Sequence, residues 1–179
     1  MSQILFYSPK EVPYGCFSNF SKHSVIYQGR NWKTSEAAFQ AMKFFPHRLD
    51  LVEAILNAPK PMEAAALGRN PSYPLRKDWN SPVSNWGGLE GSLVDDGRGP
   101  VKAIELVKDL IMYEVVLSKF TQHSGIRSIL LSTGTLPIVE NAIHDPYWGI
   151  GCSGIGVNRL GKVLMLVREA LNNPGAFVA

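Results

Sequence analysis

The stretch Trp32–Phe45 constrains this chain more than any other. Thr34 or Ser35 can accept a hydrogen bond from the first free N–H groups of a helix, and no Gly or Pro follows until Pro46. At about 100° per residue, Glu36, Gln40 and Lys43 fall within an arc of roughly 60°, while Ala37, Ala38, Phe39, Ala41, Met42, Phe44 and Phe45 cover the other directions. A helix that is apolar nearly all round belongs inside a fold. A carboxylate and an ammonium are costly there unless they are paired or face a wet cavity. The polar stripe is therefore a pocket wall, a structural Glu36–Lys43 pair two turns apart, or a strip facing solvent where the fold is thin.

The chain has 179 residues, enough for one domain over 1–179 with a sizeable core, and 45% of them are hydrophobic, as in an ordinary globular protein. A net charge of +3, without a basic run interleaved with aromatics, argues against an extended nucleic-acid track but leaves room for a nucleotide-sized anion. No basic leader precedes a long apolar run and no stretch approaches about 18 apolar residues, so a soluble, cytoplasmic protein with no membrane partner is expected. Cys16 and Cys152 have no His beside them in sequence and read as inert thiols. His23, His47, His123 and His144 lack the spacing of zinc ligands, and no metal or other cofactor is expected.

Short strands are predicted at Ile4–Tyr7 and Ser24–Tyr27, the second turned at Gln28-Gly29 into the opening helix. Between them, Phe17 and Phe20 are expected to anchor a loop in the core and hold Asn19 in a fixed direction. Helices follow at Asp50–Leu56 and Pro61–Leu67, the latter closed by Gly68. Arg69 comes next, free to bind either the helix end or an anion. From Pro71 to Pro100 the composition is rich in Pro, Gly, Ser and Asn around Trp79 and Trp86, which suits a lid or partner surface, with a disordered excursion as the alternative. Val101–Phe120 is the longest periodic stretch, with Ile104, Val107, Leu110, Ile111, Val115 and Leu117 as its core stripe. Ile126–Leu131 reads as a short helix or turn capped near Gly134, and Leu136–Glu140 as an edge strand that delivers the Glu140 carboxylate.

Asn141–Gly161 holds Gly149, Gly151, Gly154, Gly156 and Gly161 around Asp145, Trp148 and Asn158, and runs into an apolar helix at Leu160–Leu171. Glycines let backbone pass close to a ligand, and a helix N-terminus offers N–H groups to a phosphate. A purely structural turn with Trp148 as core filler is the alternative. Neither a dinucleotide fingerprint nor a P-loop is spelled out.

Gly15…Phe17-Ser18-Asn19-Phe20, Trp32…Ser35-Glu36…Phe39-Gln40-Ala41…Lys43-Phe44, Gly68-Arg69-Asn70, Lys119-Phe120, Val139-Glu140, Asp145…Trp148-Gly149…Gly151 and Gly156…Asn158-Arg159-Leu160-Gly161…Leu164-Met165…Arg168 resemble, in order, the blocks of the YbiA-like or NADAR family. The resemblance implies a compact, mostly helical α+β domain with a small β-sheet. It also implies hydrolysis of an N-glycosidic bond at ribose. Some members act on reactive riboflavin-pathway intermediates, and others remove ADP-ribose from guanine in nucleic acid. Against the family pattern, the segment at about 82–103 stands as an insertion.

Breaking a ribosyl C–N bond builds positive charge at C1′ and negative charge on the departing base, so a site needs a carboxylate near C1′, donors to the base and a phosphate holder. Glu36 is expected to activate water, with Asp145 or Glu140 as second carboxylate, and its place in a first helical turn favours the ionised form. Lys43 offers a different route, through amine attack and a Schiff base with the opened sugar. Trp148 is a stacking surface, Arg69 and Lys119 are phosphate holders, and Asn19, Gln40, Asn158 and the backbone at Gly149 and Gly151 complete the expected binding set. The expected partner is a small ribosyl phosphate or ADP-ribosylated nucleic acid. Trp79, Trp86, Arg76 and Lys77 are candidates for a polynucleotide groove, and a module that binds ADP-ribose without cleaving it is the remaining reading.

Overall fold

The computed structural model describes residues 2–85 and 104–173. Over these residues the chain forms four short strands and six α-helices: β1 Ile4–Phe6, β2 Val25–Tyr27, β3 Arg30–Trp32, α1 Ser35–Met42, α2 Leu49–Asn57, α3 Pro61–Gly68, α4 Val107–Gln122, α5 Ser124–Ser132, β4 Ile138–Glu140 and α6 Arg159–Asn172. The small sheet expected from sequence is two separate pairs. β1 and β4 run parallel with Phe6 opposite Glu140, and β2 and β3 form an antiparallel hairpin.

Gln28 and Gly29 both take positive φ, 51° and 69°, which matches the twist of a two-residue hairpin turn. The turn therefore leads into a third strand, not directly into the helix, and Trp32 ends that strand with its side chain fully buried. Thr34 then caps α1, its Oγ1 accepting from Ala37 N–H at 3.2 Å, and all eight residues of α1 are buried. Removing such a cap costs about 1 kcal/mol.

α4 is the central post, packed against α1, α5, α6 and β2. It starts at Val107, later than the periodicity from Val101 suggests, because Leu106 is extended and pairs with Pro82. Val107, Leu110, Ile111 and Val115 of the predicted stripe are buried as expected, but so are Asp109, Glu114 and Lys119, which makes this helix buried on most sides. Phe6, Phe17, Trp32, Met42 and Phe44, together with Tyr113 and Phe120 of α4, fill the core. Truncating one of these large aromatics to Ala costs about 3–5 kcal/mol.

Most of the insertion expected at 82–103, the second half of the Pro71–Pro100 stretch read as a lid, and Trp86 lie outside the described residues. The base of that segment is described. Val83 N–H donates to Glu105 O at 2.8 Å and Val107 N–H to Ser81 O at 3.0 Å, so the two ends meet beside Trp79 and Lys108. Among the described residues, no helix is long and apolar enough to cross a membrane.

Candidate active site

A cavity of about 330 Å³ opens between α1, the end of α3, the start of α4 and the loop after β4. Glu36, Gln40 and Lys43 line it, so the inverted stripe of α1 is a pocket wall. Glu36 N–H donates to Asn19 O at 3.0 Å, and Ser35 Oγ donates to Asn19 Oδ1 at 2.9 Å, which fixes the first turn of α1 on the Phe17–Phe20 loop. Asn19 borders the cavity, but its amide oxygen is engaged by Ser35 and its Nδ2 lies 3.2 Å from the Met112 sulfur. It positions α1 in this structure. Phe17 is core as expected; Phe20 is only half-buried and forms part of the cavity wall, with the Arg69 guanidinium 6.0 Å from its ring centroid.

Glu36 Oε1 accepts from Gln40 Nε2 at 2.9 Å and from Arg69 Nη2 at 3.1 Å. Burial pushes the Glu36 carboxyl above its usual range, opposite to the expectation from its helix position alone, while the Gln40 amide, Arg69 and Lys43 pull it back. Both hydrogen bonds go to a carboxylate oxygen from donors, an arrangement that suits a buried base. Lys43 Nζ donates to Gly68 O at 2.9 Å, and burial lowers its pKa to about 8 against the upward pull of Glu36.

The opposite wall comes from the loop after β4. Glu140 ends that strand, and its Oε2 is buried with no hydrogen-bond partner. Burial, reinforced by Asp145 and Glu36, pushes its carboxyl up to about 8, so it is mostly protonated at neutral pH. Asp145 also faces the cavity, but its Oδ1 accepts from the N–H groups of Tyr147 and Trp148 at 3.0 and 2.8 Å and is thereby spent on shaping the loop. Trp148 lines the cavity edge-on to Phe39, which in turn packs on Trp79.

Several expected site residues lie elsewhere. Lys119 is fully buried in the core, with Nζ donating to Ser18 O at 3.0 Å, and it is not part of the cavity wall. Asn158 uses both ends of its amide on β4: Nδ2 donates to Ile138 O and Oδ1 accepts from Glu140 N–H, both at 2.9 Å. It ties the strand that carries Glu140. Gly149 lies where a Cβ would come within 2.9 Å of Glu140 O, and Gly151 holds φ +63° against Pro146, so both serve close loop packing. The anticipated anion seat at the start of α6 is occupied internally, since Arg159 and Leu160 N–H donate to Tyr147 O and Trp148 O at 2.9 and 3.0 Å. Arg76 is buried and bonded to Asp78, which removes it from any polynucleotide groove. Cys16 Sγ reaches Pro13 O at 3.4 Å, away from the cavity.

Sequence reasoning missed Lys108 and Tyr147. Lys108 Nζ sits 4.0 Å from the Tyr147 ring centroid, and Tyr147 Oη donates to Asp109 Oδ1 at 2.7 Å. The only sequence signal was a Lys-Asp pair in the first turn of α4, which reads as ordinary helix surface.

A helical α+β scaffold with a cavity of this size, lined by three carboxyl side chains, two lysines, an arginine and two indoles, has the dimensions and the convergent polar groups of a small-molecule site. The chain belongs to the NADAR family, whose domain matches residues 5–172. An N-glycosidase of Nostoc punctiforme is 41% identical over 171 residues, covering 95% of this chain and 93% of that one. The N-glycosidase YbiA of Escherichia coli is 38% identical over 168 residues, covering 94% and 88%. The solution structure of E. coli YbiA superimposes with a TM-score of 0.75 at 36% identity, covering all of this chain and 92% of that chain. A riboflavin biosynthesis protein of Vibrio vulnificus is 32% identical over 168 residues, which are 38% of its own length.

Proposed function

We propose that this N-glycosidase hydrolyses the C1′–N bond between ribose 5-phosphate and an aminopyrimidine of the riboflavin pathway. Names of relatives bring that pathway into view: a protein of Vibrio vulnificus and one of maize are named for riboflavin biosynthesis. The observation that carries the chemistry is the pairing of unlike carboxyls across one cavity. Glu36 is held by two donors, and Glu140 is protonated with an oxygen unspent.

In this reading Glu36 takes a proton from water as that water attacks C1′, and its charge supports the developing oxocarbenium ion. The C1′–N bond breaks, its electron pair goes to the departing nitrogen, and Glu140 supplies the proton that neutralises it. Solvent returns the proton from Glu36 to Glu140. Lys43, Lys108 and Arg69 hold the anionic sugar phosphate. Asp145, given a catalytic place from sequence, here sets the direction of Tyr147 and Trp148.

A second route is favoured by one observation: burial leaves roughly a tenth of Lys43 as free amine at pH 7. Attack by that amine on C1′ expels the same base with the same proton from Glu140, and the opened sugar is then held as a Schiff base until water releases it.

The test is product release followed by mass-resolved chromatography, with the ribosylaminopyrimidine phosphate and, in parallel, DNA carrying ADP-ribosyl-guanine, and with Glu36→Gln as control. Ribose phosphate plus free pyrimidine from the wild type alone is the expected result. Release of ADP-ribose in place of pyrimidine would transfer the activity to nucleic-acid substrates.

A further inference from the structure

The main cavity has a neighbour. A second cavity, of about 520 Å³, shares Phe20, Arg69, Glu140 and Asp145 with it and is otherwise walled chiefly by Tyr7, Pro9, Pro61, Met62, Ala142 and His144. The two spaces differ in charge. Glu36, Lys43 and Lys108 face only the main cavity, whereas no further lysine, arginine or carboxylate among the described residues lines the second.

That division sorts a ribosyl phosphate conjugate by chemistry. The phosphate is drawn to the side holding Lys43 and Lys108. A flat uncharged ring gains most against Tyr7, Phe20, Pro61 and Met62. Tyr7 and Met62 are 54% and 63% exposed, so both offer apolar surface without having to leave the core. Glu140 fixes where the halves join. An acid must touch the departing nitrogen, and Glu140 stands on the wall common to both spaces, so the scissile bond lies at that wall.

We propose that the second cavity is the leaving-group subsite, which takes the flat, uncharged aminopyrimidine while ribose 5-phosphate fills the main cavity. This rests on the N-glycosidase reading above and extends it. Trp148 then faces the sugar and not the base. Because the walls particular to the subsite are largely apolar and carry no lysine or further carboxylate among the described residues, it selects flatness and neutrality more than a particular substitution pattern.

The experiment uses the full chain and its Tyr7→Ala/Met62→Ala double variant. Inhibition of ribosylaminopyrimidine phosphate cleavage is measured with free triaminopyrimidinone, ribose 5-phosphate and adenosine monophosphate. The expected result is pyrimidine inhibition weakened about five- to tenfold, with a matching rise in KM and unchanged inhibition by ribose 5-phosphate, which also reports an intact fold. Pyrimidine inhibition that does not change, or that weakens in step with ribose 5-phosphate, would overturn the proposal. So would a loss confined to adenosine monophosphate, since the cavity would then hold the nucleotide half of a larger substrate. If the wild type does not cleave the ribosylaminopyrimidine phosphate, the proposed substrate fails first and the subsite with it; cleavage with unaltered pyrimidine inhibition removes the subsite alone.

Discussion

The two walls of the main cavity are built from opposite habits. On the helical wall side chains meet on a carboxylate, Gln40 and Arg69 both donating to Glu36, with Lys43 alone turned to backbone at the carbonyl that ends α3. On the loop wall they bind backbone, with Asp145 and Asn158 used to shape the chain around Glu140. The difference teaches that buried charge is affordable here for two reasons. On the helical wall the Gln40 amide, Arg69 and Lys43 oppose the upward push of burial on Glu36, whereas on the loop wall Glu140 Oε2 has no hydrogen-bond partner and burial pushes its carboxyl up to about 8.

If the helical wall supplies the base, Glu36→Gln strikes hardest. Turnover is expected to fall about a hundred- to ten-thousandfold, with the melting temperature little changed because the amide keeps an acceptor for Gln40 and Arg69. Steady-state kinetics and a thermal melt check this together, and wild-type turnover would remove Glu36 from the chemistry.

The loop wall is tested by Glu140→Gln and by pH. A carboxyl with a pKa of about 8 is a proton donor below that pH and loses the role above it, so wild-type turnover falls as pH rises through about 8. Glu140→Gln lowers turnover throughout and flattens that limb. A substrate whose base leaves readily without a proton should lose less than a poor leaving group.

Lys43→Arg gives a smaller effect if water is the nucleophile. The guanidinium keeps the positive charge, and turnover is expected to stay within about tenfold of wild type. Under the amine route the same variant is inactive, the wild-type rate rises with pH towards about 8, and borohydride captures a substrate-derived adduct on Lys43.

Much of the helical wall was legible beforehand. A stripe of Glu36, Gln40 and Lys43 on an otherwise apolar helix follows from period alone, and all of α1 is buried with that stripe on the cavity. The loop wall was less so. A glycine-rich loop next to a helix looks the same in sequence whether its amides await an anion or already bond carbonyls, and only the Tyr147 and Trp148 carbonyls opposite Arg159 and Leu160 distinguish the cases. Phe20 shows the same limit, because composition places an aromatic near the core but not on which side of it a cavity opens. Lys108 was hidden because a lysine in a first helical turn carries no signal of what lies across from it.

Lys119 sharpens the comparison from outside the cavity. Sequence made it a phosphate holder equal to Arg69, yet it is wholly buried, with the Ser18 carbonyl as its hydrogen-bond acceptor, the Phe120 ring centroid 5.3 Å away and the Cys16 thiol nearby. Burial lowers its pKa to about 7, while an unfolded lysine keeps its proton to much higher pH. Between those limits the unfolded chain holds the extra proton, so this group makes the fold more stable as pH rises from about 7 towards 10. Lys119→Met keeps the volume, gives up one hydrogen bond and removes that dependence. Urea unfolding at pH 7 and 9.5 should show the wild type gaining on the order of 2 kcal/mol relative to the variant. Turnover should stay near wild type, because the residue supports the Ser18–Asn19 loop and does not touch the cavity. Equal pH slopes in the two proteins would mean that Lys119 stays charged inside the core. A large loss of turnover at full stability would return Lys119 to the binding site.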